Sequence, residues 1–162
     1  MPHRSALAGE WVSRWWSRLC ESLKSQVSSL KLEVRSEAVE LILAHARSAS
    51  PRECCGLLLG NERGIVDAIP TRNLADDPSR FFIDPKDHID GRREARRRGV
   101  EVVGFYHSHP HSAPEPSERD RLEAGYPDHL YLIVGLNADA AVMRLFRLQS
   151  GNFLRVPFVT VG

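Results

Sequence analysis

Residues Val100 to Pro110 read Val-Glu-Val-Val-Gly-Phe-Tyr-His-Ser-His-Pro, an apolar, β-branched run that ends on two histidines. Such residues favour a strand, and Pro110 ends it, because proline has no N–H to give to a ladder. Successive side chains along a strand point to opposite faces, so His107 and His109 share one face. On a helix the same juxtaposition would need a spacing of three or four. Two imidazoles on one face can hold one cation between them, so the strand and ligand readings support each other. Ser108 points to the opposite face and reads as structural.

The flanking sequence describes an α/β domain over residues 31–162. Ser36 is a candidate cap for a helix whose Val39, Ile42, Leu43 and Ala46 fall on one face, and Pro51 closes it. Cys-Gly-Leu-Leu-Leu-Gly reads as a buried strand, Asn-Glu-Arg-Gly as a turn and Ile-Val-Asp-Ala-Ile as the return strand. Asp84-Pro85 is an N-cap followed by proline at the first helical position, and Gly99 stands where that helix would stop. A short helix over Ser117 to Ala124 follows. Three further strands come after it: Leu-Tyr-Leu-Ile-Val-Gly-Leu, Ala-Val-Met-Arg-Leu-Phe-Arg-Leu and Phe-Leu-Arg-Val-Pro-Phe-Val-Thr-Val. Gly151-Asn152 is a hairpin signal between the last two. The expected fold is a mixed, mostly antiparallel sheet flanked by helices.

Residues 1–30 differ in composition and contain all three tryptophans. Trp11, Trp15, Leu19, Leu23 and Val27 recur every four residues, as one stripe of an amphipathic helix. The segment reads either as a leader outside the core or as a docking helix for a partner or membrane surface.

At 162 residues and 42% hydrophobic, the chain suits one compact domain. A net charge of +1 leaves no excess of Lys and Arg to neutralise phosphates, which argues against nucleic acid as an obligate partner. No apolar run is long enough to span a bilayer, and the first residues lack the apolar stretch of a secretory signal. Cys20, Cys54 and Cys55 make no disulfide framework and fit a reducing cytoplasm. Cys54 and Cys55 precede an apolar run and read as buried small hydrophobes.

Asp120 falls in the first turn of the short helix, where it can swing back toward the histidines as an oxygen ligand. Two His and one carboxylate with an open fourth position is the stoichiometry of catalytic zinc. Taken alone, His-x-His is a weak metal signal, and Ser117-x-x-Asp120 reads as a capping pair. The combination at this spacing is far more restrictive, and capping is compatible with ligation. His111, beyond Pro110, reads as a loop histidine near the site.

His-Ser-His-Pro-His-Ser-Ala-Pro-Glu-Pro-Ser-Glu-Arg-Asp, residues 107–120, resembles the His-x-His-x7-Ser-x2-Asp signature of the JAMM/MPN+ metalloprotease family, with every position filled. That family also uses an upstream glutamate at the start of a strand. Pro-Arg-Glu-Cys-Cys-Gly-Leu-Leu-Leu-Gly resembles that segment, which makes Glu53 the candidate. The resemblance covers about residues 31–160. It implies an α/β sandwich related to cytidine deaminases, although the deaminase signature itself is missing. It implies that His107, His109 and Asp120 hold Zn²⁺ with a water in the fourth position. Glu53 would then act as general base and acid, and Ser117 would donate to the oxyanion.

The compact spacing, with Phe-Tyr-His-Ser-His-Pro and Tyr-Pro-Asp-His-Leu-Tyr-Leu-Ile-Val, looks like the prokaryotic branch. Members of that branch cut after the C-terminal Gly-Gly of ubiquitin-like sulfur-carrier proteins, one of them releasing cysteine. A processing peptidase, a deconjugase of other ubiquitin-like conjugates and a non-catalytic scaffold module stay open as alternatives. The scaffold reading would predict missing ligands, and none is missing. The loop Arg72 to Ile83 is a candidate wall of the substrate groove. The basic ridge Arg92–Arg98 reads as a solvated helix face or as a dock for an acidic protein partner.

Overall fold

A computed structural model of the chain describes residues 31–137 and 140–162, so the tryptophan-bearing segment 1–30 lies outside the described residues. Among the described residues eight strands and three helices follow one another as β1 (Leu32–Arg35), α1 (Ser36–Ala49), β2 (Cys55–Asn61), β3 (Gly64–Thr71), α2 (Pro85–Arg97), β4 (Glu101–His109), α3 (Glu118–Glu123), β5 (Leu130–Gly135), β6 (Val142–Gln149), β7 (Asn152–Val156) and β8 (Phe158–Val161). The strands form one sheet in the order β7-β6-β5-β4-β2-β3-β1-β8. Of its seven pairings, β1–β3, β1–β8 and β4–β5 are parallel and the other four antiparallel. The expected mixed, mostly antiparallel α/β fold is the observed one.

β4 lies at the centre, with β2 on one side and β5 on the other. Its residues divide between two apolar layers. Tyr106 packs with Leu58, Leu132 and Val134 beneath the Ala38, Ile42 and Ala46 stripe of α1. Phe105 packs with Leu57, Tyr131 and Ile133 beneath Ala95 of α2. A register shift between Leu58 and Leu59 leaves Val103 without an opposite residue on β2. Val102 therefore joins Phe105 in the α2 layer although three positions separate them.

The final apolar stretch, read from sequence as one strand, is two. Pro157 has no N–H to continue a ladder, and the chain breaks there into β7 and β8. These two strands occupy opposite ends of the sheet order yet are joined by that single residue. The sheet must therefore curl until its edges approach each other. Strand β1, not anticipated from sequence, lies between β3 and β8, and its Leu32 N–H donates to the Pro157 carbonyl at 3.3 Å where the β1–β8 pairing begins.

Smaller differences have local causes. Helix α1 begins at Ser36 itself; Arg35 is the N-cap and makes no side-chain cap, while the Ser36 hydroxyl turns to Glu37. The last hairpin turns at Ser150-Gly151, one residue earlier than expected, because both residues take positive φ (50° and 76°). Asp84 caps α2 as read, its carboxylate accepting from the Lys86 N–H at 2.7 Å. The basic ridge is paired along its own helix: Arg93 with Asp90 and Arg97 with Glu94, while Arg98 reaches Asp67. Among the described residues no helix is long and apolar enough to cross a membrane.

Gly56 of β2 lets the backbone and the Tyr106 ring approach closely behind the central strand. A Cβ there would collide with the Tyr106 ring and with the Ile69 carbonyl oxygen. Tyr106 is fully buried and its hydroxyl is held by His45 Nδ1 at 2.8 Å, so neither neighbour can retreat. Gly56→Ala is expected to destabilise the fold by about 1–3 kcal/mol through overpacking. Denaturant unfolding checks this, and an unchanged midpoint would refute the packing account.

Candidate metal centre

The C-terminal end of β4 carries the histidines, and both flanking strands hold it. β2 pairs Cys55 with His107, and β5 pairs Gly135 with His109. The chain just before β2 adds a further link, since Ser108 Oγ accepts the Cys54 N–H at 2.9 Å and the Ser108 N–H donates to the Cys54 carbonyl at 3.1 Å. Ser108 is thus structural and points away from its neighbours, as alternation requires.

His107 and His109 are 2% and 5% exposed, and their Nε2 atoms lie 3.0 Å apart. Helix α3 presents Asp120 to both: Oδ1 is 3.4 Å from His107 Nε2, and Oδ2 is 3.4 Å from His109 Nε2. A tetrahedral ion with bonds of 2.0–2.1 Å would place its ligand atoms about 3.3 Å apart, so these three donors fit such an ion. They form a compact ligand group, each offering one atom within 4.8 Å of the others.

Capping and presentation of Asp120 are one arrangement. Ser117 Oγ accepts the Asp120 N–H at 3.1 Å, and Asp120 Oδ2 accepts the Ser117 N–H at 2.7 Å, a reciprocal capping box. Because Ser117 Oγ is the acceptor there, its own proton stays available to donate. His109 Nδ1 lies 2.9 Å from the Ala113 carbonyl, so Nδ1 carries a proton and donates there while Nε2 faces the cluster. Phe81 stacks on the His107 ring at 4.4 Å and 23°.

Electrostatics follow from burial. Desolvation raises the Asp120 carboxyl, but hydrogen bonds from His107, His109 and Ser117 outweigh it and hold the acid well below the usual carboxylate range. Burial lowers His107. Desolvation pulls His109 the same way, yet its hydrogen bonds to Asp120 and Ala113 raise it overall. Glu53 has no such compensation. Burial pushes its carboxyl up to about 7, with His109 and Arg119 pulling it down and Asp120 and Asp77 pushing it further up.

Glu53 stands two residues before β2, beside Ser117 and Asp120 in one wall of a recess that also includes Ser79, Arg80 and Phe81. A longer, mainly apolar groove of about 910 Å³ runs from His107 and Asp120 past Phe81, Phe105, Tyr126 and Tyr131. The loop Arg72–Ile83 lines it, as expected, and an Arg80–Glu123 ion pair of 2.8 Å joins that loop to α3. The structure thus brings His107, His109 and Asp120 together and sets Glu53 and Ser117 beside them.

The other described histidines and cysteines are not part of that ligand group. His111 is exposed on its loop. His45 bonds Tyr106, His88 accepts from Arg92, and His129 lies over Phe105. Cys54 and Cys55 are buried and burial pushes both thiols up to about 11, so they stay neutral at pH 7. Phe81 and Asn73, both in the loop, were not singled out from sequence; no spacing relates them to the histidines.

Residues 35–149 match the family described as prokaryotic homologs of the JAB domain. A desampylase from Haloferax volcanii is 37% identical over 114 residues, covering 66% of this chain and 82% of the relative. A CysO-cysteine peptidase from Mycobacterium tuberculosis is 29% identical over 129 residues, covering 78% and 88%. A solution structure of a Desulfitobacterium hafniense protein superimposes with a TM-score of 0.74 at 29% identity, covering 80% of this chain and 92% of the other. The central strand with its paired histidines, the capped aspartate and the family match over residues 35–149 agree: this chain belongs to the prokaryotic JAB-domain branch of the JAMM/MPN metallopeptidase family.

Proposed function

We propose that this chain is a zinc-dependent hydrolase that cleaves after the C-terminal Gly-Gly of a ubiquitin-like sulfur-carrier protein, releasing cysteine when cysteine is the leaving group. The observation that carries the reading is the convergence of His107, His109 and Asp120, with Glu53 and Ser117 in a recess that shares Asp120, Arg80 and Phe81 with the apolar groove. The likeness to a CysO-cysteine peptidase supports the choice of substrate. The likeness to a desampylase supports a second reading at the same site, release of a ubiquitin-like protein from a conjugate. A cytoplasmic place of action accords with the reduced cysteines of the sequence analysis.

His107, His109 and Asp120 would hold the ion. When bound, zinc supplies Lewis acidity and lowers the pKa of a water to about 7. Glu53 takes a proton from the attacking water and returns it to the leaving nitrogen as the C–N bond breaks and the C–O bond forms. A carboxyl near 7 suits both halves of that task at neutral pH. Ser117 Oγ, already an acceptor of the Asp120 N–H, donates its free proton to the developing oxyanion. The apolar groove would receive the extended tail, whose glycines ask for no room for side chains.

Incubation with carrier proteins bearing a C-terminal cysteine, or joined to a lysine amine, tests the proposal by intact mass. Glu53→Gln is expected to keep its metal and lose at least about 10²-fold in turnover. Near-parent turnover by that variant would remove Glu53 from the mechanism. His109→Ala is expected to lose the metal outright, and metal analysis after dialysis decides; full occupancy would overturn the ligand set.

Glu53 also makes a pH prediction in the chelator-treated protein. Its folded pKa, about 7, lies above the ordinary 4.5. Below pH 4.5 the group is neutral in both states, and Glu53→Gln should match the parent. Between 4.5 and about 7 the unfolded chain gives up the proton first, so the parent loses stability as pH rises. The variant's advantage in Tm should grow through that window and level off above it. An advantage that does not change with pH would show that Glu53 is not desolvated.

A further inference from the structure

The structure assigns to Asn73 the role of a positioning residue for Glu53, the group proposed above as general base; the inference rests on that proposal. Glu53 is the one member of the site that lies neither in a strand nor in the capped turn of a helix. Its N–H donates to the Pro78 carbonyl at 2.9 Å and its carbonyl accepts from Asn73 Nδ2 at 3.0 Å, so both main-chain groups are satisfied by the Arg72–Ile83 loop. The next residue is held differently, because Cys54 is bonded on both its N–H and its carbonyl to Ser108. Rigid sheet and irregular loop therefore meet between Cys54 and Glu53.

Asn73 is what makes the loop stiff enough for this. Its amide fills its whole hydrogen-bonding capacity. Nδ2 donates to the carbonyls of Glu53 and, at 2.8 Å, Arg80; Oδ1 accepts the N–H groups of Ala75 at 3.0 Å and Phe82 at 2.9 Å. One side chain thus ties the two ends of the loop to each other and to the backbone of Glu53. The segment so closed carries Phe81, stacked on His107, and Arg80, paired with Glu123. Only a side chain with two donors and an acceptor of two at this length can do all of it. Aspartate keeps the acceptor but turns both donors into repulsion against carbonyls, and glutamine is one methylene too long.

The test compares the parent with Asn73→Asp and Asn73→Ala, by three readouts. Hydrogen exchange at the Glu53 amide should rise at least about tenfold in both variants, while Cys54, held by Ser108, keeps its protection. Bound metal should stay at the parent level. On a carrier adduct kcat should fall at least about tenfold with KM little changed, because a misplaced base costs chemistry rather than binding. Parent-level exchange at Glu53, or parent-level kcat, would overturn the assignment. So would loss of metal or of folding by both variants, which would make Asn73 a structural clasp only. If the parent itself cleaves no carrier adduct, the proposed function fails, and the exchange data still decide whether Asn73 holds Glu53.

Discussion

The site depends on the end of β4 being paired, by β2 as far as His107 and by β5 as far as His109. Cys55 opposite His107 and Gly135 opposite His109 leave no backbone freedom beneath the imidazoles. Ser108, facing away between them, adds a two-way bond to Cys54. A strand so constrained fixes two side chains to one face at one spacing, a precision that loops do not supply. The third candidate ligand comes from a short helix, and there the reciprocal capping of Ser117 and Asp120 does the fixing instead.

Burying so many ionisable groups together costs stability, and the compensation is uneven. Asp120 receives hydrogen bonds from both histidines and from Ser117, and His109 is held by Ala113. Glu53 receives a backbone anchor but no comparable partner for its carboxyl, so desolvation dominates and its affinity for a proton rises. A proton-transfer group needs that; a structural carboxylate would be penalised for it. The disagreement with local stability falls on the residue proposed to do the chemistry, as expected of functional sites.

Much of this was legible in the residues. The two histidines announced themselves because a strand's period is two, and the signature through Asp120 specified the rest of the ligand set. The cap at Asp84, the return strand after Asn61 and the packing face of α1 followed from local chemistry that survives burial. The readings that failed involved partners distant in sequence. The stretch after Asn152 looked continuous because its apolar pattern is continuous, and only the place of β1 beside β8 shows why Pro157 divides it.

By itself, then, the sequence determined most of the elements, the face shared by His107 and His109, and which residues are candidate ligands. Tertiary structure alone decided the curl of the sheet, the stacking of Phe81 on His107 and the grip of Asn73 on Glu53. The reason is physical. Periodicity and capping are short-range and act within one element. A hydrogen bond between residues 20 apart, as from Asn73 to Glu53, exists only once the whole sheet has brought the loop across the strand end.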